Sequence, residues 1–126
     1  MTTILNTITL RLPWPSSDLS PNHRGAWQTK EGSRQAAIVS GRDAVRNVDG
    51  AGYYDLPERL QITITLHPPD LRWYDWDNMA GRLKYFQDGI FRELGRNDHD
   101  IRRVVVEWGK PLKGGSVTVI LGEVQV

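Results

Sequence analysis

A chain of 126 residues, 39% hydrophobic and 25% charged, holds one domain and one core and excludes a disordered chain, a collagen and a coiled coil. No apolar run approaches the roughly 20 residues of a membrane span, residues 1–10 lack the basic start of a secretory signal, and cysteine is absent, which removes disulfides, thiolate nucleophiles and Cys-ligated zinc and fits a cytoplasmic address. A net charge of +1 does not mark a nucleic-acid-binding protein, and although 12 of the 16 basic residues are Arg, suited to bidentate phosphate contacts, a GC-rich genome explains that bias equally, so any such role has to come from local clustering.

In chain order, residues 4–12 (ILNTITLRL) place Asn6, Ile8, Leu10 and Leu12 on one side and predict a strand. Residues 13–25, with three prolines and three serines, predict a rigid extended loop, long enough to imply a task. Ala37, Gly41, Ala44 and Val48, with Ile38 and Val45 beside them, predict a helix over 33–48. Its stripe of small residues suits close packing, and Arg34, Arg42 and Arg46 lie away from it. A loop over 49–57 leads to the clearest strand, 59–66 (RLQITITL), with Leu60, Ile62, Ile64 and Leu66 inward and Pro68 and Pro69 ending it.

A second helix is predicted over 78–94 by Met79, Leu83, Phe86, Ile90 and Leu94. Asp77 is placed to cap it and Gly95 to end it. Residues 101–108 (IRRVVVEW) form a third strand, 109–115 a turn, and 116–124 a last strand. The order β-α-β-α-β-β predicts one α+β domain over 1–126, a small mixed sheet with two helices on one face.

The unusual segment is Asp70-Leu-Arg-Trp-Tyr-Asp75-Trp-Asp77-Asn78. In an extended stretch, Asp75 and Asp77 point the same way. Two carboxylates so placed repel each other unless a cation neutralises them. Oxygen ligands favour Mg²⁺ or Mn²⁺ over zinc, and such an ion can hold a scissile phosphate and activate water. The alternative is a helix cap at Asp77 beside a solvated turn residue. Asn97-Asp98-His99-Asp100 reads either as a polar turn or as a source of further ligands. No nucleophile triad, P-loop or dinucleotide-binding turn is present.

LPWPSSDLSPNHRGAW, DWDNMAGRLKYFQDGIFRELGRNDHDI and KGGSVTV together resemble the RusA-type Holliday-junction resolvases and their phage-borne relatives, over residues 10–121. That resemblance implies a Mg²⁺-dependent endonuclease resolving four-way DNA junctions as a homodimer, with Mn²⁺ as a substitute ion. It places the essential carboxylates on Asp75, Asp77 and Asp98 and the catalytic lysine on Lys84. Alternatively, Lys84 pairs with Asp88 one turn on. The family prototype is Arg-rich just before its D-x-D. Here only Arg72 is basic, beside Trp73 and Tyr74, aromatics that stack on unpaired bases or pack against protein.

Five basic residues against two acids between Ser20 and Val48 suggest a phosphate-binding surface of Arg24, Lys30, Arg34, Arg42 and Arg46, to which Arg72, Lys110 and Lys113 add. A helix over 78–94 spans about 25 Å, far more than the 2–2.5 Å of a metal–ligand bond. A straight helix therefore keeps Asp98 from Asp75 and Asp77 of its own chain, and the expectation is a homodimer with active sites completed in trans. The rivals are a flap- or fork-preferring nuclease of the same fold and a junction-binding module without catalysis.

Overall fold

The computed structural model describes residues 7–21, 24–48 and 55–125. The predicted strand positions 4–6, His23 and most of the 49–57 loop lie outside the described residues. The elements run β1 (Ile8–Leu12), α1 (Trp27–Arg46), β2 (Leu60–His67), α2 (Trp76–Leu94), β3 (Ile101–Trp108) and β4 (Ser116–Glu123), with single 3₁₀ turns at Ser17–Leu19 and Asp98–Asp100. This is the expected α+β order.

One four-stranded mixed sheet has the spatial order β1-β4-β2-β3. β4 is antiparallel to β1 and β2, whereas β3 lies parallel to β2 at the edge. α2 is the crossover that this parallel pair requires. Register stacks the alternating apolar residues into rows: Ile8, Leu121 and Ile62; Leu10, Val119 and Ile64; Leu12, Val117 and Leu66. All nine are buried, forming the sheet side of the core. Burying one such side chain contributes about 1.5–3 kcal/mol. The helix side comes from Ala37, Ile38 and Val45 of α1 and Met79, Leu83, Phe86 and Ile90 of α2.

The two helices run parallel, since Arg34 lies 5.4 Å from the ring centroid of Tyr85, midway along α2, and Arg46 pairs with Glu93 further along both. Two glycines permit their approach. A Cβ at Gly41 would collide with the carbonyl oxygen of Phe86, and one at Gly89 with that of Ile38. The small-residue stripe thus packs against the second helix.

Beyond shifts of a residue at strand ends, three features differ from the sequence reading. α1 begins at Trp27 rather than at residue 33, on Ala26, whose side chain makes no cap bond. The 13–25 loop holds a short 3₁₀ turn, capped by Ser16 Oγ accepting from Asp18 N at 3.2 Å. α2 begins at Trp76 with Asp75, not Asp77, in the cap position. Its other end is as expected: Gly95 adopts φ 68°, and Arg96 N donates to Phe91 O at 3.0 Å. α2 is unbroken through Gly81 and Gly89.

Candidate functional site

The pairs Leu12–Val117, Leu66–Val117 and Leu66–Trp108 bring the ends of β1, β2 and β3 and the start of β4 to one end of the sheet. Residues 13–26, 68–75 and 109–115 therefore connect elements there, where α1 and α2 also start. The 13–26 loop packs across the start of α2: Ser20 Oγ donates to Asn78 Oδ1 at 2.7 Å, and the Pro21 ring lies against Gly81. Its task in the fold is to buttress the segment that carries Asp75 and Asp77.

Asp75 and Asp77 are exposed and line one depression of about 320 Å³ with Trp76 and Asn78. Neither carboxylate has a hydrogen-bond or ion-pair partner among the described residues. The extended alignment expected from their spacing is not adopted. Asp75 is extended (φ −76°, ψ 133°) but Asp77 already belongs to the first turn of α2, so the two meet at one depression through the helix start and not along an extended strand. The helix start offsets the repulsion in part, because its free N–H groups favour negative charge.

Other acids on this fold are engaged. Asp70 accepts from Arg72 Nε at 2.9 Å, Arg72 Nη2 at 2.7 Å, Arg72 N at 3.0 Å and Tyr74 Oη at 3.1 Å. The Arg72 side-chain hydrogen bonds hold the Asp70 carboxyl down at about 2. Burial, with the bond to Asp70, pushes the Tyr74 hydroxyl up, and its ring meets Trp14 edge-on at 5.2 Å between centroids. This clasp was not anticipated, although an Asp two residues before a free N–H after Pro-Pro is an Asx-turn signal. It occupies the guanidinium of Arg72 and turns Leu71 and Trp73 outward, with Trp73 fully exposed. An apolar groove of about 530 Å³ lies between this loop and Trp108, Gly109 and Pro111.

Lys84 is exposed on α2, two turns after Asp77 on the same side. Lysine side chains on helices lean toward the N-terminus, which directs Lys84 toward Asp77. Its Nζ lies 5.7 Å from the Tyr85 ring centroid, and no ion pair to Asp88 forms among the described residues.

Asp98 sits at the opposite end of the molecule. Asp77 is the second of the 19 residues of α2, so the rest of that helix separates it from Asp98, about 25 Å. The turn that carries it is pinned there. Arg96 Nε donates to Asp100 at 2.9 Å and Arg96 Nη2 to Pro57 O at 2.8 Å, while Asn97 Oδ1 accepts from His99 N at 2.9 Å. Asp98 lines a separate depression with Gln87, Asp88 and Arg92. Among the described residues, no three His, Cys, Asp or Glu side chains converge on one point.

The basic residues divide in the same way. Arg24, Lys30, Arg72, Lys110 and Lys113 lie on the loops or helix start at the Asp75–Asp77 end, with Arg24, Lys110 and Lys113 exposed. His67 Nδ1 bonds to the carbonyl of Lys110 at 2.9 Å, fixing that turn. Arg34 is 3.7 Å from Glu31. Arg42 and Arg46 converge on Glu93 at the far end, and the Arg46 hydrogen bond holds that carboxyl below its usual range. Exposed pairs of this kind contribute little to stability and are readily exchanged.

The described residues form no helix long and apolar enough to cross a membrane. No family model matches this chain. It is 38% identical over 91 residues to an uncharacterized protein of Xylella fastidiosa, a stretch that covers 71% of this chain and 59% of that relative. The chain thus spans less than two thirds of the length of the relative it matches.

Proposed function

We propose that this chain is a metal-dependent, structure-selective DNA endonuclease of the RusA type that resolves four-way junctions by phosphodiester hydrolysis in recombination and repair in the cytoplasm. The observation that carries this reading is the unpartnered pair Asp75 and Asp77 at the start of α2, on the end of the fold that also presents Arg24, Lys110 and Lys113. Two hard oxygen donors without another partner suit Mg²⁺ or Mn²⁺, the remaining positions falling to water, phosphate and a further acid. When bound, the ion lowers the pKa of a water and polarises the phosphoryl oxygen.

The chain's own groups do the rest. Arg24, Lys30, Lys110 and Lys113 hold backbone phosphates without reading sequence, and Arg72 can leave Asp70 to join them. Lys84 stabilises charge building on the transferring group. Asp98 cannot reach this place from the same chain, so a homodimer supplies it in trans. The test is incubation of a synthetic four-way junction, a flap and a fork with Mg²⁺ or with EDTA. Symmetric cuts in the junction with Mg²⁺ alone are expected. Asp77→Asn should cut at least about 100-fold more slowly, the scale of a lost group acting on the transition state, while binding the junction as tightly as wild type or tighter, because a charge repelling phosphate has gone. Cleavage by Asp77→Asn at wild-type rate removes the metal site; flap or fork cleavage in preference to the junction reassigns the substrate.

A further inference from the structure

Among the described residues β3 pairs only with β2, which leaves the other side of an eight-residue strand open. Natural edges of this length are blunted by proline, by charged side chains, by inward charges or by a bulge, and the charges on β3 are of both signs, Arg102 and Arg103 against Glu107. β3 contains no proline, and its one irregularity lies at its start, where Leu60 pairs with Ile101 but Gln61 with Arg103. Register with Ile62, Ile64 and Leu66 places Val104, Val106 and Trp108 on the helix side of the sheet. The helices do not reach across: Val104 is 57% exposed and Trp108 46%.

We propose that this edge pairs with the same edge of a second copy, antiparallel, about a two-fold axis through Val105. Facing residues in a sheet share a side, so such an axis passes through a residue position. An axis at Arg103 opposes two guanidinium groups. One at Val104 sets Arg103 against valine, and one at Val106 sets Glu107 against valine. Only at Val105 does Arg103 face the partner's Glu107, twice by symmetry, while Val104 faces the partner's Val106 on the helix side. Arg103 and Glu107 are both exposed. The Arg103 guanidinium donates through one nitrogen to the carbonyl of Gln125, which leaves its other donors for a carboxylate. Opposite charges and β-branched pairs across strands each contribute about 0.2–1 kcal/mol.

Antiparallel pairing exchanges ends. Ile101 comes to face the partner's Gly109, so the Asp98–Asp100 turn comes to the partner's turn after β3, whose Gly109 and Pro111 line one groove with the loop that leads into Asp75 and Asp77. The axis stands perpendicular to the sheet, so both helix layers share one side. The edge that closes the sheet is thus also the one that joins the two half-sites. This last step rests on the endonuclease reading; the strand pairing does not.

The absence of native cysteine makes the register directly readable. Residues facing each other across antiparallel strands have Cα atoms about 4.5–5.5 Å apart, within the 4.4–6.8 Å of a disulfide. Val105→Cys should form a disulfide-linked dimer under mild oxidation, whereas Val104→Cys and Val106→Cys, each facing a different residue, should link at least about tenfold more slowly. Arg103→Glu and Glu107→Arg should each weaken the dimer by about tenfold in sedimentation, the worth of two lost pairs. The double variant should restore it. A wild-type monomer at 100 µM, faster linking at 104 or 106, or no rescue by the double reversal overturns the proposal. Linking at 105 by a protein that cuts no junction overturns the endonuclease and keeps the interface; junction cutting without linking does the reverse.

Discussion

Asp70 and Asp77 lie on one passage from loop to helix, yet only Asp70 is engaged, clasped by Arg72 and Tyr74. The D-x-D-N run was visible as an unusual carboxylate pair, but not which residue begins the helix. Either Asp is a good cap by composition, and the choice falls to Asp75 because Trp76 and Asp77 already have helical backbone. The clasp was hidden because Arg72 read as a phosphate ligand, and pairing two residues apart depends on loop geometry rather than periodicity. Its electrostatics give a prediction. The Asp70 carboxyl is lowered from 3.8 to about 2, so its contribution to folding is complete above the unfolded value and fades as pH falls through the range from there to about 2. Arg72→Ala should raise the carboxyl midpoint toward its ordinary value of about 3.9, read by NMR titration of the side-chain carbon. An unmoved midpoint would mean that another group depresses it.

At the scale of elements, strands with clean alternation and the second helix were legible because their buried faces carry the period. α1 was legible only from its middle. Its first turns face solvent, with Trp27 68% exposed, and no Ser, Thr, Asp or Asn caps it, so residues 27–32 gave neither an apolar stripe nor a start signal. Its small stripe did announce a close contact, though not with what. That contact predicts opposite signs for one substitution. A methyl group at Gly32 would meet nothing within 4 Å, and Gly32→Ala should stabilise by up to about 1 kcal/mol through helix propensity. Gly41→Ala and Gly89→Ala would press a methyl group into the backbone of the facing helix, and separating the helices should cost about 1–3 kcal/mol despite the same propensity gain. Urea unfolding of the three variants decides it; stabilisation at 41 or 89 would mean that the helices do not cross there.

At the scale of the molecule, the candidate site is split between two ends by the length of one straight helix. That split was legible in the spacing of Asp77 and Asp98. The open β3 edge was not, because strand order in a sheet depends on long-range pairing that no local pattern records. The arrangement predicts complementation. Asp77→Asn and Asp98→Asn proteins, mixed equally under subunit exchange, should regain nicking at about a quarter of the wild-type sites, since half the dimers are mixed and each then holds one intact site in two. A mixture that stays inactive despite demonstrated exchange places all ligands within one chain.

The position of β4 between β1 and β2 has a cost in time. Leu12 pairs with Val117, and at about 5–20 residues per second a ribosome leaves roughly 5–20 s between them. Throughout that interval Ile8, Leu10 and Leu12 have been made and have no neighbouring strand to join. The newborn chain carries a sticky apolar ribbon until its last strand emerges, which makes its early life a matter of dilution and chaperone cover rather than of the finished fold's stability.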